Sequence, residues 1–439
     1  MNGSARFLAF SAAAALTLHA PGSAGAQSPA QAADATLAAA VAAVSTERLR
    51  TVDERLVAFG TRNTFSDTTS TATRGVFAAR DWIASRLRDA ARTSGGRMSV
   101  ALDEYVQAPE RYFPRSAKIS SVVATLRGDE AGSRTYVLSS HYDSRRSDGD
   151  DPTGEAPGAD DNGSAVTCVL EAARVLAPLH FRATLLFAAY DAEEQGTYGS
   201  AHHAKALKAA GVDVEGDVNS DIIGASTDWN GLSAPNLVRL HSTVEDDSAS
   251  RQLARFARDA GLTYVPSMQV LMINRADRFL RGGDQESFQE QGFPGIRFTE
   301  TYENFDHQHQ NVRVENGKEY GDLIRFMDFE YLTRVCRINV ATVGALGLAP
   351  GAVRNLKLDN RTLSNDSTLT WEGVPGAAGY EVVVREPMEA YWRAPLTTVG
   401  AGVTTVTVRG YPRDNWLFGV RAFDAQGHRG VVAFPAPQR

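Results

Sequence analysis

Cysteine, surplus positive charge and long apolar runs are what this 439-residue chain is short of. Lysine and arginine number 45 against 52 aspartates and glutamates, a net charge of −7. That balance argues against a nucleic-acid partner, because a phosphate backbone selects a basic surface. Beyond Leu18 no stretch is long and apolar enough to cross a membrane, since a span needs about 20 apolar residues. The two cysteines, Cys168 and Cys336, fall in apolar, helix-like runs. They can pair in an oxidising compartment, but two buried thiols is the plainer expectation.

Residues 1–26 read as a secretory signal: Arg6, an apolar run from Phe7 to Leu18, and the small-residue exit Ala24-Gly25-Ala26. Cleavage is expected before Gln27, giving a secreted or periplasmic chain of charge −8, because Arg6 is the only charged residue removed. Residues 27–45 are alanine-rich and read as a flexible leader or a loosely docked helix. From Thr46 to Arg92 the apolar spacing is helical, broken at Gly60 and at the polar run Ser66 to Ser70, which predicts two helices joined by a loop.

The period then becomes that of strands at Met98–Val106, Lys118–Leu126, Thr135–Ser140, Ala183–Tyr190, Val218–Ile223 and Gly295–Phe298. Helical runs at Ala165–Ala177, Ser200–Ala210, Ser248–Ala260 and Tyr320–Leu346 separate several of them. Alternation with unbroken apolar strands predicts an α/β fold: a mixed, largely parallel sheet covered by helices on both faces. Ligands of such sheets sit beyond the carboxyl ends of the strands.

That rule selects His141 and Asp143 after one strand, Glu193 and Glu194 after another, and Asp221 at the end of a third. His141 and Asp143 stand two apart, as a zinc-bound imidazole and the carboxylate that fixes its tautomer would. Of two adjacent glutamates, one can bind metal while the other moves protons. Between them Gly158-Ala159-Asp160-Asp161-Asn162-Gly163-Ser164 forms an acidic turn opening a helix. The later stretch Asn304-Phe305-Asp306-His307-Gln308-His309-Gln310-Asn311 adds two imidazoles. His202 and His203, on a helix, and His241, which closes a strand-like run, have no such motif around them.

The ordered set His-x-Asp, Gly-x-x-Asp-Asn-Gly-Ser, Glu-Glu, Asp and a late His resembles the secreted two-zinc aminopeptidases, kin of bacterial leucyl aminopeptidase, glutamate carboxypeptidase and glutaminyl cyclase. The resemblance covers Leu49 to Leu348. It implies two Zn²⁺ per chain, with His141 on one zinc, Asp161 bridging both, and Glu194, Asp221 and His309 as further ligands. His307 is the alternative to His309. Asp161 rather than Asp160 is the bridge because it stands three residues before Ser164, and a cis peptide bond is implied after it. Glu193 becomes the general base, with Asp143 beside it in the catalytic set. Gly282 to Phe288 resembles a substrate-side loop, but Gly283-Asp284-Gln285 departs from the Ser-Asp-His of many relatives, so side-chain preference does not transfer. Tyr302, Phe305, Met268 and Met272 are candidates for a specificity pocket.

After Pro350 the chain turns β-rich, with runs at Thr368–Trp371, Tyr380–Arg385, Thr404–Val408 and Trp416–Phe423. Leu369-Thr370-Trp371, Gly379-Tyr380-Glu381-Val382 and the run Val420 to Gly427 resemble a fibronectin type III sandwich, with Phe418 where a tyrosine is usual. The expectation is therefore a peptidase domain over 46–349 and a small all-β sandwich over 350–439. The function it predicts is a zinc exopeptidase acting on the N-terminal residues of peptides or proteins. A single-zinc glutaminyl-cyclase-like acyltransferase, a carboxypeptidase and a non-catalytic binding protein are the alternatives.

Overall fold

The computed structural model describes residues 32–130, 132 and 134–435, so the expected signal at 1–26 lies outside the described residues. Eight strands form one sheet: β1 (Met98–Gln107), β2 (Ala117–Leu126), β3 (Thr135–His141), β4 (Thr184–Tyr190), β5 (Val214–Ser220), β6 (Leu237–His241), β7 (Gln269–Ile273) and β8 (Gly295–Glu300). Their order is β1-β2-β4-β3-β5-β8-β6-β7. β4, β3, β5 and β8 run parallel to one another, as do β6 and β7, whereas β1 to β2, β2 to β4 and β6 to β8 are antiparallel.

Eight helices accompany the sheet: α1 (Ala35–Ala42), α2 (Thr46–Val57), α3 (Val76–Ala91), α4 (Ala165–Leu176), α5 (Tyr198–Ala209), α6 (Ala249–Tyr264), α7 (Asp284–Glu290) and α8 (Phe329–Leu348). Strand residues alternate between two cores, as the period of two requires. Leu185, Phe187 and Ala189 join Val166, Val169, Leu332 and Val335 of α4 and α8, while Leu186, Ala188 and Tyr190 join Ala204 of α5 and Phe288 of α7. Both faces are thus covered, which is why β4 reads as a nearly continuous apolar run.

Of the two alternatives for the leader, the structure shows the helix, docked from Ala35 and firmly so: Leu37 is fully buried, and a Cβ on Gly344 of α8 would stand 2.3 Å from its Cδ1. Two expectations are corrected. The long C-terminal helix starts at Phe329 rather than Tyr320, because Lys318–Tyr320 pairs with Arg313–Glu315 and Asp328 then caps the helix by accepting from Tyr331 N. Cys168 and Cys336 are bonded to each other rather than free; α4 and α8 pack together and bring their Cα atoms within 5.3 Å.

The last part of the chain folds as two three-stranded antiparallel sheets. One is Lys357–Leu358, Ser367–Thr370 and Thr405–Val408, and the other Thr397–Gly400, Gly379–Arg385 and Leu417–Phe423. Leu369, Trp371, Tyr380, Val382, Phe418 and Val420 fill the space between them. This unit docks on α6, where Trp392 Nε1 donates to Gln252 (3.0 Å) and Arg255 donates to Ala390 O (2.8 Å). Asp34, which caps α1, reaches both halves: its N–H donates to Tyr264 (2.9 Å) at the end of α6, and its carboxylate lies 3.4 Å from His428 Nε2.

Candidate metal centre

Because β4, β3, β5 and β8 are adjacent and parallel, their carboxyl ends share one edge, and each feeds the site. β3 ends on His141, β4 leads to Glu193 and Glu194, β5 to Asp221, and the loop after β8 to His309. Asp161 comes from the turn before α4, where the Asp161–Asn162 peptide is cis. Two groups of ligand atoms form, each within 4.8 Å: His141, Glu193 and Asp221, and Asp161, Glu194 and His309. Asp161 spans both, with Oδ1 3.3 Å from His141 Nε2 and Oδ2 2.8 Å from His309 Nε2. His309 Nε2 is also 3.0 Å from Glu194 Oε2, and His141 Nε2 is 3.4 Å from Asp221 Oδ1 and 3.9 Å from Glu193 Oε2.

Asp143 is fully buried and organises its neighbours. Its Oδ1 accepts from Glu193 N (3.2 Å) and lies 3.3 Å from His141 Nδ1, and its Oδ2 accepts from Glu194 N (3.1 Å). All seven residues expected at the site are therefore brought together. His307 is not among them, since it stacks on Phe326 with ring centroids 3.7 Å apart. His202 bonds Asp103, His203 bonds the Tyr190 hydroxyl, and buried His241 belongs to neither group. Met268 and Met272 pack into the main core, and Phe305 lies against Trp229, so none of them lines the site cavity. Tyr302 does not line it either.

Residues with no motif to betray them hold the centre in place. Arg62 is wholly buried and donates to the carbonyls of Tyr142, Pro157, Gly158 and Leu56. Asp322 accepts the N–H groups of Asp160 and Asp161, and Gln308 donates to Asp161 Oδ2 at 3.2 Å. Arg297 joins Asp221 and Asp277, each at 2.6 Å. Only Arg297 left a sequence signal, a charge inside the apolar strand β8.

The electrostatics describe a site that demands positive charge. Burial alone would lower the pKa of His141, yet Asp221 and Glu193 hold it well above the usual value. Burial likewise opposes, but Glu194 and Asp161 lift His309 to about 10. Burial raises Glu193 and Glu194 despite the imidazoles, whereas for Asp221 burial is outweighed by Arg297 and His141 together, which lower it. His141 Nε2, Glu194 Oε1 and Asp221 Oδ1 are buried without a hydrogen-bond partner among the described residues. Imidazole nitrogens and carboxylate oxygens facing inward and unpartnered are a donor set that fits zinc.

Such a centre, at the carboxyl edge of a mixed sheet covered by helices, is that of a metal-dependent hydrolase. Residues 121–320 match the family described as Peptidase family M28. A probable zinc metalloprotease of Leptosphaeria maculans is 42% identical, over 91% of this chain and 96% of its own length. One of Pyricularia oryzae is 41% identical, over 93% and 86%. Among solved structures, the LapA aminopeptidase of Legionella pneumophila aligns at a TM-score of 0.54 and 20% identity, over 71% of this chain and 74% of that one. LapB of the same organism aligns at 0.56 and 18%, over 74% and 78%. The chain belongs to peptidase family M28 and is a zinc metallopeptidase.

Proposed function

We propose that this metallopeptidase is an exported aminopeptidase that holds two zinc ions and removes N-terminal residues from peptides or proteins. The observation that carries the reading is Asp161, one carboxylate whose two oxygens face His141 and His309 separately. His141 and Asp221 would hold one ion, Glu194 and His309 the other, and Asp161 both. Zinc, when bound, polarises the scissile carbonyl and makes water a better acid.

The remaining work falls to the protein. Glu193, raised by burial, takes the proton of the attacking water and returns it to the leaving amine. Asp143 fixes the backbone of both glutamates and the ring of His141, while Arg297 occupies Asp221 Oδ2 and leaves Oδ1 facing inward. An amino-end preference is supported by Glu286, whose side chain lines the cavity over the site. Its carboxylate suits a substrate ammonium. Export is supported by the signal-like residues 1–26 and by the Cys168–Cys336 bond, a feature of oxidising compartments.

The test is zinc stoichiometry together with turnover on free-amino and acyl-capped dipeptides, for the native protein and two variants. Glu193→Gln is expected to keep two zincs and lose about 10²–10⁴-fold in turnover, the usual worth of a general base. Glu194→Gln is expected to lose metal first and to recover partly in excess zinc. Glu193 stands in one ligand group with His141 and Asp221, so a metal-poor Glu193→Gln with a metal-replete, slow Glu194→Gln reverses the roles. One zinc in the fully active protein, or cyclisation of N-terminal glutamine without hydrolysis, overturns the reading.

A further inference from the structure

Three arginines, Arg145, Arg278 and Arg281, line the cavity over the metal centre. Arg278 is bound to Asp277 (3.0 Å) and Glu303 (2.8 Å), and Arg281 to Glu303 (3.3 Å). Arg145 has no carboxylate partner among the described residues; its one bond is from Nε to Arg146 O at 3.3 Å, which leaves both terminal nitrogens unpaired. The loop around it is nevertheless fixed. Arg146 is clamped between Asp151 (3.1 Å) and Asn311 (2.7 Å), tying this loop to the one that carries His309. A Cβ on Gly149 would stand 3.2 Å from the Arg145 guanidinium carbon, so that glycine makes the room in which the group lies.

Arg145 also borders a second cleft, shared with Tyr112, Asp150, Gln195 and Tyr198, that meets the metal cavity along Glu194 and Gly196; Asp150 makes no ion pair with it. A guanidinium carried on a tethered loop and without an ion-pair partner among the described residues repels a substrate ammonium and attracts a carboxylate, which it can grip through two parallel bonds. Resting on the exopeptidase reading above, we propose that Arg145 determines specificity by binding a carboxylate of the substrate beyond the scissile bond. That carboxylate is either the free C-terminus of a dipeptide or an acidic side chain in the second residue.

Full-length, signal-processed, zinc-loaded protein is assayed on leucyl-phenylalanine and its C-terminal amide, and on amidated leucyl-glutamyl-alanine and leucyl-glutaminyl-alanine. The native enzyme is expected to favour the carboxylate-bearing member of at least one pair. Arg145→Ala should lower kcat/KM for that member by about 10–100-fold, the worth of one charge-assisted hydrogen bond, leaving its neutral partner unchanged. Arg145→Lys should recover part of the loss. Loss in the dipeptide pair identifies the terminal carboxylate, and loss in the glutamyl pair the side chain. Calorimetric binding of leucyl-phenylalanine and its amide to Glu193→Gln, with and without Arg145→Ala, reads the same contrast without turnover. Equal losses on acid and amide, or no loss on either, overturn the proposal. Preferential cleavage of N-acetylated peptides would instead overturn the amino-end reading, and the acid-to-amide contrast on the acetylated pair would still judge Arg145.

Discussion

Arg62→Met removes a guanidinium that lies behind the metal loops with no exposed surface. Its four acceptors are the carbonyls of Tyr142 and Pro157 at 2.6 Å, Gly158 at 2.8 Å and Leu56 at 3.2 Å. Gly158 O also accepts from Gly163 N, and Leu56 O from Phe59 N, so these two keep a partner. Tyr142 O and Pro157 O keep none among the described residues. A buried acceptor stripped of its donor costs about 1–3 kcal/mol, so the pair costs roughly 2–6 kcal/mol, against a total of about 5–15 kcal/mol for a domain. Asp53, buried and without a hydrogen-bond partner among the described residues, is raised by burial and by Asp322 and restrained by Arg62, so loss of that cation raises it further. The urea midpoint of Arg62→Met should therefore fall with the slope unchanged. Its zinc content should fall with it, because the loop carrying Asp161 loses its anchor. Arg62→Lys should be intermediate, since an ammonium is a point donor without the fork that spans two loops. A fully zinc-loaded Arg62→Met within about 1 kcal/mol of native stability, the range of an ordinary surface change, would refute the reasoning.

Joint replacement of Cys168 and Cys336 by serine opens a closure of 168 residues, and chain entropy sets the loss at up to about 5 kcal/mol; denaturant midpoints of the two proteins measure it. His309→Ala should lose zinc and nearly all activity, while His307→Ala, removing a ring stacked on Phe326, should keep its metal; the reverse ranking by metal analysis would contradict the geometry. Burial beside Tyr190 pulls His203 down to about 4 from an ordinary 6.5. The unfolded chain then binds the extra proton between these values, so this contribution is complete above pH 6.5 and lost as pH falls towards 4, about 3 kcal/mol at most. His203→Gln should flatten the stability profile in that window.

What the sequence could reveal follows from how each feature is made. β4 is legible because a strand covered on both faces has almost no polar positions to interrupt it, whereas β3 keeps an apolar centre, Tyr136-Val137-Leu138, ahead of two serines. The site residues were readable because chemistry fixes their types, and parallel strands bring distant segments to one edge. β7 was missed because Gln269 and Leu271 face outward at the sheet edge and dilute the pattern. The start of α8 was misplaced because Gly321 and Asp322 sit in a helical spacing, while Asp322 is committed to the N–H groups of Asp160 and Asp161. Arg62 in Phe59-Gly60-Thr61-Arg62 looks like a surface arginine, since four carbonyls from three places in the chain leave no local mark. The Cys168–Cys336 bond depends on the crossing of α4 and α8, which neither helix encodes alone.

The contact of Asp34 with His428 joins residues 394 apart. Closing a loop of that length costs about 5 kcal/mol in chain entropy beyond the constant term. At about 5–20 residues per second, the ribosome needs roughly 20–80 s to deliver His428 after Asp34 has emerged. For that interval the face of Asp34 that later meets the C-terminal unit stays in solvent. A chain stalled before residue 428 lacks the imidazole that Asp34 meets, and its two ends are left unlatched.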